Sequence, residues 1–526
     1  MGKIARYLNQ LTIGNVFDTP EVLDTYSTDH SVLKIKPKFV AFPESTDDIR
    51  KLMRFFTKLK ERDIRVPITV RGSGTSKTGS CLGNGVIIST RKLDKMLEID
   101  TRDRLVRVQS GITLKELNTA LSVSGLTVPI DGHDDDTIGG LIATRPVDSA
   151  AKKYGSIEKF IERIEIVLST GDCIQTNRLR KYAVAKLVTE KTPEGRLYHD
   201  FYRFLTDEEA LLKNLEFKNL TGYPSITKVK KRDTLDLMPL FFGSEGTLGI
   251  ISEVILKAVP IKDQPARVVA TFKELAHAIK YAGIVASLNP RNIDLYDLSI
   301  IMEAKDTGKN LDGVIKKLNE GFVVYTKFDE KSENSIKKLK EMRDKFPRTA
   351  KFIYESPETK STLDEFDNSL ANYISYVKNG ERVPILTDFY LPTVNLESFL
   401  KDIAILGKKL KLDLAIYGSL ATSIYHLRPK FNLEDPDFNK KATTFLRAGA
   451  YIINRQGGEL TGGTPEGRVK AVVENENLPA AEKTLYTKLK TIFDANDILN
   501  PDVKLGANSK FTLTHFRSTN QPKIML

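Results

Sequence analysis

The passage that most constrains this chain is VRGSGTSKTG, Val70–Gly79, where a strand-like run, Arg65–Val70, passes directly into a loop of glycine, serine and threonine. Glycine lets backbone approach a ligand closely and adopt positive φ. Successive N–H groups and neighbouring hydroxyls then form a concavity suited to an anion. A phosphate or diphosphate is the expected occupant, with a tight structural turn as the competing reading. The spacing narrows the choice. Lys77 stands where G-x-G-x-x-G requires its third glycine, and the loop does not match G-x-x-x-x-G-K-[ST] either. The common NAD and ATP fingerprints are both missing.

Two later stretches repeat the composition. Thr137-Ile138-Gly139-Gly140 follows Pro129-Ile130-Asp131, and Gly243-Ser244-Glu245-Gly246-Thr247-Leu248-Gly249-Ile250-Ile251 follows Phe242. Glycines flanked by Thr and Ile imply backbone pressed against a flat ligand. A dinucleotide held by a scheme other than the NAD fingerprint fits FAD.

Between these stretches the first half alternates strand and helix signals. Phe39–Phe42 is a short apolar strand closed by Pro43, and Ser45 is placed to cap a helix carrying Asp47 and Asp48 in its first turn. Ile49, Leu52, Met53, Phe56 and Leu59 then follow a period of 3.6. Leu114–Leu121 reads as a helix stopped by Gly125, and Ile164–Leu168 with Cys173–Gln175 as a hairpin. From Asp263 to Leu410 charged helical stretches (Asp312–Leu318, Lys331–Lys345) alternate with short strands such as Gly321–Tyr325. A third segment opens at Leu412–Gly418, passes a glycine-rich stretch and a helix over about Pro479–Phe493, and ends in a tail, Asn508–Leu526, expected to be loosely held. Three regions follow: 1–262, 263–410 and 411–526.

Composition sets limits. Of 526 residues, 40% are hydrophobic and 28% charged, which suits globular domains with ample core. No run approaches the roughly 18 apolar residues of a membrane helix, and the opening MGKIARYLNQ lacks a secretory h-region. The expectation is a cytoplasmic protein. The net charge of +12 is spread along the chain in short clusters such as Lys230-Lys231-Arg232. With no zinc-finger spacing or basic zipper, nucleic acid is not an expected partner; weak peripheral attraction to anionic lipid is compatible with the charge. Cys81 and Cys173, the two cysteines, cannot build a disulfide framework and read as small buried residues.

Taken together and in order, the three small-residue stretches resemble the PCMH-type (vanillyl-alcohol-oxidase-like) FAD-binding domain, in its branch of D-lactate dehydrogenases and glycolate oxidases. The likeness extends to Tyr26-Ser27-Thr28-Asp29, Pro37–Pro43, Val108–Leu114, Lys153-Tyr154-Gly155, Gly222-Tyr223, Phe493-Asp494 and Ile498-Leu499-Asn500-Pro501. It implies an α+β fold: an FAD-binding domain of two α+β subdomains plus an α+β cap, the FAD-linked oxidase C-terminal domain. By the resemblance, Arg71, Gly72, Ser73, Gly74, Thr75 and Ser76 wrap the diphosphate. Pro129, Thr137, Ile138, Gly139 and Gly140 line the middle and ring of the flavin, and Glu245, Gly249 and Ile250 contact the adenine or ribose side. Some relatives attach the flavin through a histidine in the glycine loop. This loop has none, so FAD is expected to be non-covalent, with His133 the nearest alternative attachment point.

The resemblance weakens at the substrate. After Gly140 the family continues with an Asn-Ala-Gly-Gly-like stretch, where this chain has Arg145-Pro146-Val147-Asp148. The family's Gly-His-Ala-Gly-Asp-Gly-Asn-Leu-His becomes Gly418–His426, with Ser419 for the first histidine and Ile424 for the asparagine; its Gly-Glu-His-Gly becomes Gly462-Gly463-Thr464-Pro465. One histidine is not a metal site, and Ser419 and Thr464 are poor divalent-metal ligands, so no metal is expected. His426 remains as a candidate base, Arg428 as a candidate carboxylate ligand and Tyr425 as a candidate hydrogen-bond donor, each with a purely structural alternative. The implied activity is hydride transfer from a small D-2-hydroxy acid to the flavin, with electrons passed to a quinone, cytochrome or other acceptor. A sugar, polyol or aldonolactone donor is the rival, and an FAD-binding scaffold without turnover the third reading.

Overall fold

A computed structural model describes all residues except 1, 131, 215–219, 262–265, 306–320, 330–332, 376–381 and 518–526. The stretch expected as a helix at Asp312–Leu318, and Asp131, lie outside the described residues.

The glycine loop hangs from a small sheet in the order Asn15–Phe17, Phe39–Phe42, Val86–Ser89, Ile68–Arg71. Val86–Ser89 pairs in parallel with both of its neighbours, Phe39–Phe42 and Ile68–Arg71, which requires a crossover between those two, supplied by the helix Thr46–Lys60. The Ser45 side chain accepts the Asp48 N–H at 3.1 Å and starts that helix. Ile49, Leu52, Met53 and Phe56 bury its apolar face on the sheet.

A second, antiparallel sheet has the order Met96–Asp100, Leu105–Gln109, Ile250–Lys257, Ile161–Val167, Cys173–Gln175. The expected hairpin is its outer pair, turned at Gly171 with φ +80°. The helix Leu114–Ser122 starts in a reciprocal cap between Thr113 and Glu116 and packs on this sheet's core.

The third sheet has seven antiparallel strands: Lys351–Tyr354, Ala266–Phe272, Phe322–Phe328, Asn292–Asp297, Asp413–Ser419, Ile424–Lys430, Leu386–Tyr390. Strands from either side of residue 410 thus share one sheet. The helices Leu275–Ala286, Leu396–Leu410 and Phe438–Arg455 cover one face with a continuous apolar core. Its other face contributes alternate residues to the cavity described below.

After this sheet the chain returns to the first half. The helix Ala480–Phe493 packs against Pro193–Asp207 through Leu485, Tyr486 and Phe201. Ile68 N donates to Ile498 O and Asn500 N to Ile68 O, both at 2.7 Å, so the late segment lies beside the strand that feeds the glycine loop. The described part of the tail, residues 508–517, corrects an expectation. Ser509–Thr514 is a helix, Phe516 is buried, and Lys34 N donates to His515 O at 2.8 Å while Arg517 Nε donates to Leu33 O at 3.0 Å. One aromatic anchor and a short backbone pairing hold it, features too brief to show a sequence period. Among the described residues no helix is long and apolar enough to cross a membrane.

Candidate functional site

The glycine loop, the Thr137 segment and part of the second face of the seven-stranded sheet, the rest of which is covered by the helices Leu298–Lys305 and Lys360–Ser375, enclose one cavity of about 840 Å³, within the range of cofactor and ligand sites. Gly72, Ser73, Gly74, Thr75, Ser76, Thr137, Gly139, Gly140, Glu245 and Gly249 line it. The three stretches, up to 177 residues apart in sequence, therefore meet at one place.

Close approach explains the glycines. A Cβ on Gly72 would lie 2.1 Å from Thr137 Oγ1, and one on Gly139 2.8 Å from Ser110 Cβ. Thr137 caps the helix Ile138–Thr144 by accepting the Gly140 N–H at 3.2 Å, leaving a helix start facing the glycine loop. Ser110 Oγ is buried in this wall with no hydrogen-bond partner. Such a hydroxyl costs stability unless a ligand meets it. A glycine-cleared cradle, hydroxyls along it and an orphaned buried donor together suit a dinucleotide such as FAD.

Four residues expected at the cofactor do not line the cavity. The Arg71 guanidinium turns back to donate to Thr28 O at 2.7 Å and lies 4.8 Å from the Tyr26 ring; it supports the loop from behind. Ile138 and Ile250 are fully buried core residues, and Pro129 is buried in a segment that only frames the wall. Glu245 reaches the wall, but its carboxylate accepts the Gly467 N–H at 3.1 Å and stands 4.0 Å from Lys504. Burial raises it to about 7. His133 also lines the cavity, with Nδ1 accepting the Asp135 N–H at 3.2 Å.

The opposite end rests on strands. Tyr296, Tyr417 and His426 sit on three adjacent strands at directly paired positions. Their rings form a ladder: Tyr296 and Tyr417 are 6.2 Å apart and inclined by 5°, Tyr417 and His426 4.3 Å apart and inclined by 10°. All three line the cavity. His426 Nδ1 accepts the Asp388 N–H at 3.1 Å, and the Thr387 hydroxyl lies 2.8 Å from the same nitrogen. Burial pushes His426 down to about 3, so the ring is neutral at pH 7. Burial opposes the Asp388 charge, but the Lys77 and Lys470 cations around it and the Thr387 hydroxyl bonded to it prevail and hold its carboxyl below the usual range.

Two of the three expected substrate residues are elsewhere. Tyr425 is fully buried on the helix side of its strand, where its hydroxyl meets Thr393 Oγ1 at 2.8 Å and its ring packs against Phe389. Arg428 is also buried and outside the cavity wall; it donates to Arg382 O at 3.3 Å and lies 5.7 Å from the Tyr417 ring. Strand alternation carries the signal for Tyr425, since 424 and 426 share a face that 425 cannot; Arg428 is on the His426 face but is engaged with Arg382 and Tyr417 instead of the cavity. Sequence reasoning missed Lys77, Tyr417 and Asp388, which lie 340, 9 and 38 residues from their partners Tyr417, His426 and His426.

The donor set does not suit a divalent cation. Ser419, Gly463 and Thr464 replace ligands, and the Lys470 ammonium lies 3.1 Å from both Thr464 O and Oγ1, placing positive charge at that point. Among the described residues no group of three His, Cys, Asp or Glu side chains is arranged to hold a metal.

Comparison with known proteins agrees with this cavity. The family model for the FAD binding domain matches residues 37–177, and that for the FAD linked oxidases, C-terminal domain, matches 263–503. The D-2-hydroxyglutarate dehydrogenase of Pantoea ananatis is 24% identical over 90% of this chain and 48% of its own length. The chain thus spans about half the length of that relative. The D-lactate dehydrogenase of Anaerostipes hadrus is 23% identical, covering 91% of this chain and 92% of its own. Among solved structures, substrate-bound p-cresol methylhydroxylase superposes with a TM-score of 0.69 at 13% identity, over 95% of this chain and 96% of its own. With its FAD-binding and oxidase C-terminal halves meeting around one dinucleotide-sized cavity, the chain belongs to the PCMH-type FAD-linked oxidoreductases.

Proposed function

We propose that this oxidoreductase oxidises a small D-2-hydroxy acid of the lactate or glycolate type, using non-covalently bound FAD and passing the electrons to a quinone, cytochrome or other acceptor. The observation that supports this best is the polar wall of Tyr417, His426, Asp388 and Lys77 on the cavity that the glycine loop also lines. Bound FAD supplies the hydride acceptor; the chain supplies orientation and proton handling.

His426 does not suit the base role that the motif suggests. A backbone N–H always donates, so Nδ1, which accepts from Asp388, carries no proton. The neutral ring therefore holds its proton on Nε2 and is a hydrogen-bond donor. It fits the substrate oxygen as a polarising group; the ionised Asp388 beside it, which also lines the cavity, is too weak a base to keep the hydroxyl proton and fits as its hydrogen-bond acceptor, the proton passing on to solvent as the hydride leaves. Tyr417 holds the His426 ring flat between its neighbours, and Arg428 holds Tyr417 from behind.

The test is anaerobic mixing of the purified yellow protein with D-lactate, glycolate and D-2-hydroxyglutarate, following loss of flavin absorbance. Bleaching by one of these supports the reading; bleaching only by sugars, polyols or aldonolactones replaces it. That second reading draws on the hydroxyl-rich wall of Ser149, Ser419 and Thr464. A flavin reduced by neither class indicates a scaffold.

A further inference from the structure

Lys77 sits one residue beyond the loop Gly72–Ser76 and extends from it to the ring ladder, with Nζ 3.5 Å from the Tyr417 hydroxyl. The next residue anchors the chain there: Thr78 O accepts the N–H groups of Arg468 at 2.9 Å and Val469 at 3.1 Å. The side chain is half-buried and lines the cavity with Tyr417, His426 and Asp388. Neighbouring cations have other commitments. Lys327 pairs with Asp367 at 3.1 Å, Lys470 binds Thr464, and Arg71 binds the backbone behind the loop. Among the described residues no ion pair within 4.0 Å engages the Lys77 ammonium.

A half-buried ammonium facing a cavity is stabilised most by an anion that arrives there. We propose that Lys77, with the Tyr417 hydroxyl beside it, anchors the carboxylate of the substrate and so selects acids over neutral alcohols. This rests on the 2-hydroxy-acid reading above and assigns its recognition to a loop residue, in place of Arg428 or a metal. Two donors 3.5 Å apart suit the two oxygens of one carboxylate. The FAD diphosphate is the competing anion, served by the loop amides and hydroxyls of 72–76.

The test compares wild-type holoenzyme with Lys77→Gln and Lys77→Arg. Oxalate, a dicarboxylate that cannot be oxidised by hydride loss, is titrated into oxidised enzyme while the visible flavin spectrum is read; ethylene glycol is the neutral control. FAD content is measured on each protein. Lys77→Gln is expected to keep its FAD and to weaken oxalate binding about tenfold or more, with Lys77→Arg in between. For any hydroxy acid that turns over, KM should rise more than kcat falls. Equal oxalate affinity in wild type and Lys77→Gln, no oxalate effect on wild type, or loss of FAD from Lys77→Gln each overturns the anchor. If no hydroxy acid reduces the wild-type flavin but oxalate still binds in a Lys77-dependent way, the proposed function fails and the carboxylate site stands.

Discussion

At the scale of single residues, one backbone amide decides the chemistry of His426. Because Asp388 N donates to Nδ1, the ring cannot take a second proton without breaking that bond, and burial opposes the charge as well. His426→Ala should lower kcat by about 10²–10³, the usual cost of a lost polarising donor. His426→Gln, which can accept with its oxygen and donate with its nitrogen, should recover part of that loss. The histidine should also leave no inflection near its ordinary pKa of about 6.5; an inflection there that disappears in His426→Gln would assign it the base role instead. Gly72 gives a second residue-scale expectation. Gly72→Ala drives a Cβ to within 2.1 Å of Thr137 Oγ1. Thr137 must then abandon its cap on Gly140, costing about 1 kcal/mol, and the loop must open. The purified variant should show a reduced ratio of flavin to protein absorbance and a lower melting temperature.

At the scale of elements, the segment Arg145–Asp148, which replaces the family's glycine-rich continuation, and the adjoining Ser149 join the two halves. Val147 N donates to Gly463 O at 2.9 Å; Ser149 Oγ accepts the Ile293 N–H at 3.2 Å and lies 2.9 Å from Ser419 Oγ. Ser419, which stands where the family has its first histidine, thus finds a partner in Ser149, just beyond the replaced stretch. Ser149→Ala leaves the buried Ile293 N–H without its acceptor, at a cost of about 1–3 kcal/mol. Faster hydrogen exchange at Ile293 and a lower melting temperature should follow, while a protein unchanged in both would show that the clasp contributes nothing. This pairing also marks the limit of what was legible in the sequence. The Ser45 cap, the 3.6-period helix after it, the hairpin of Ile164–Leu168 with Cys173–Gln175 and the glycine loop all rest on local signals, and all are found. The ladder Tyr296–Tyr417–His426 depends on strand register between segments up to 130 residues apart, which no local period encodes. Alternation within Ile424–Lys430 alone separates His426 from Tyr425, whereas only the pairing with Asp413–Ser419 brings Tyr417 beside His426.

At the scale of the whole molecule, a buried charge network ties the late segment to the cofactor half. Lys504 Nζ lies 2.7 Å from Glu466 Oε2, and Glu466 Oε1 accepts the Gly222 N–H at 2.6 Å. Glu245 on the cavity wall and Glu474, bonded to Thr221 Oγ1 at 2.9 Å, complete it. Two ammonium groups, Lys504 and the nearby Lys470, face three buried carboxylates and cannot neutralise them all, so a proton remains. Burial accordingly raises Glu474 to about 7 from an ordinary 4.5, with Glu466 adding to the effect. Lys504→Met removes the cation and leaves Glu466 buried without it, which should cost about 3–5 kcal/mol and release FAD with the collapse of that wall. The proton on Glu474 has the opposite consequence for pH. Between about 4.5 and 7 the folded protein keeps a proton that the unfolded chain has lost, so stability from this group is full below 4.5 and declines as pH rises to 7. Glu474→Gln keeps a neutral partner for Thr221 and removes the titration. Unfolding of the variant and of wild type, followed from pH 4.5 to 8, should give a stability difference that grows in the variant's favour by about 1–3 kcal/mol and levels off above 7. A difference constant across that range would mean that Glu474 is ionised in the folded protein, and that Lys470 rather than a proton balances its charge.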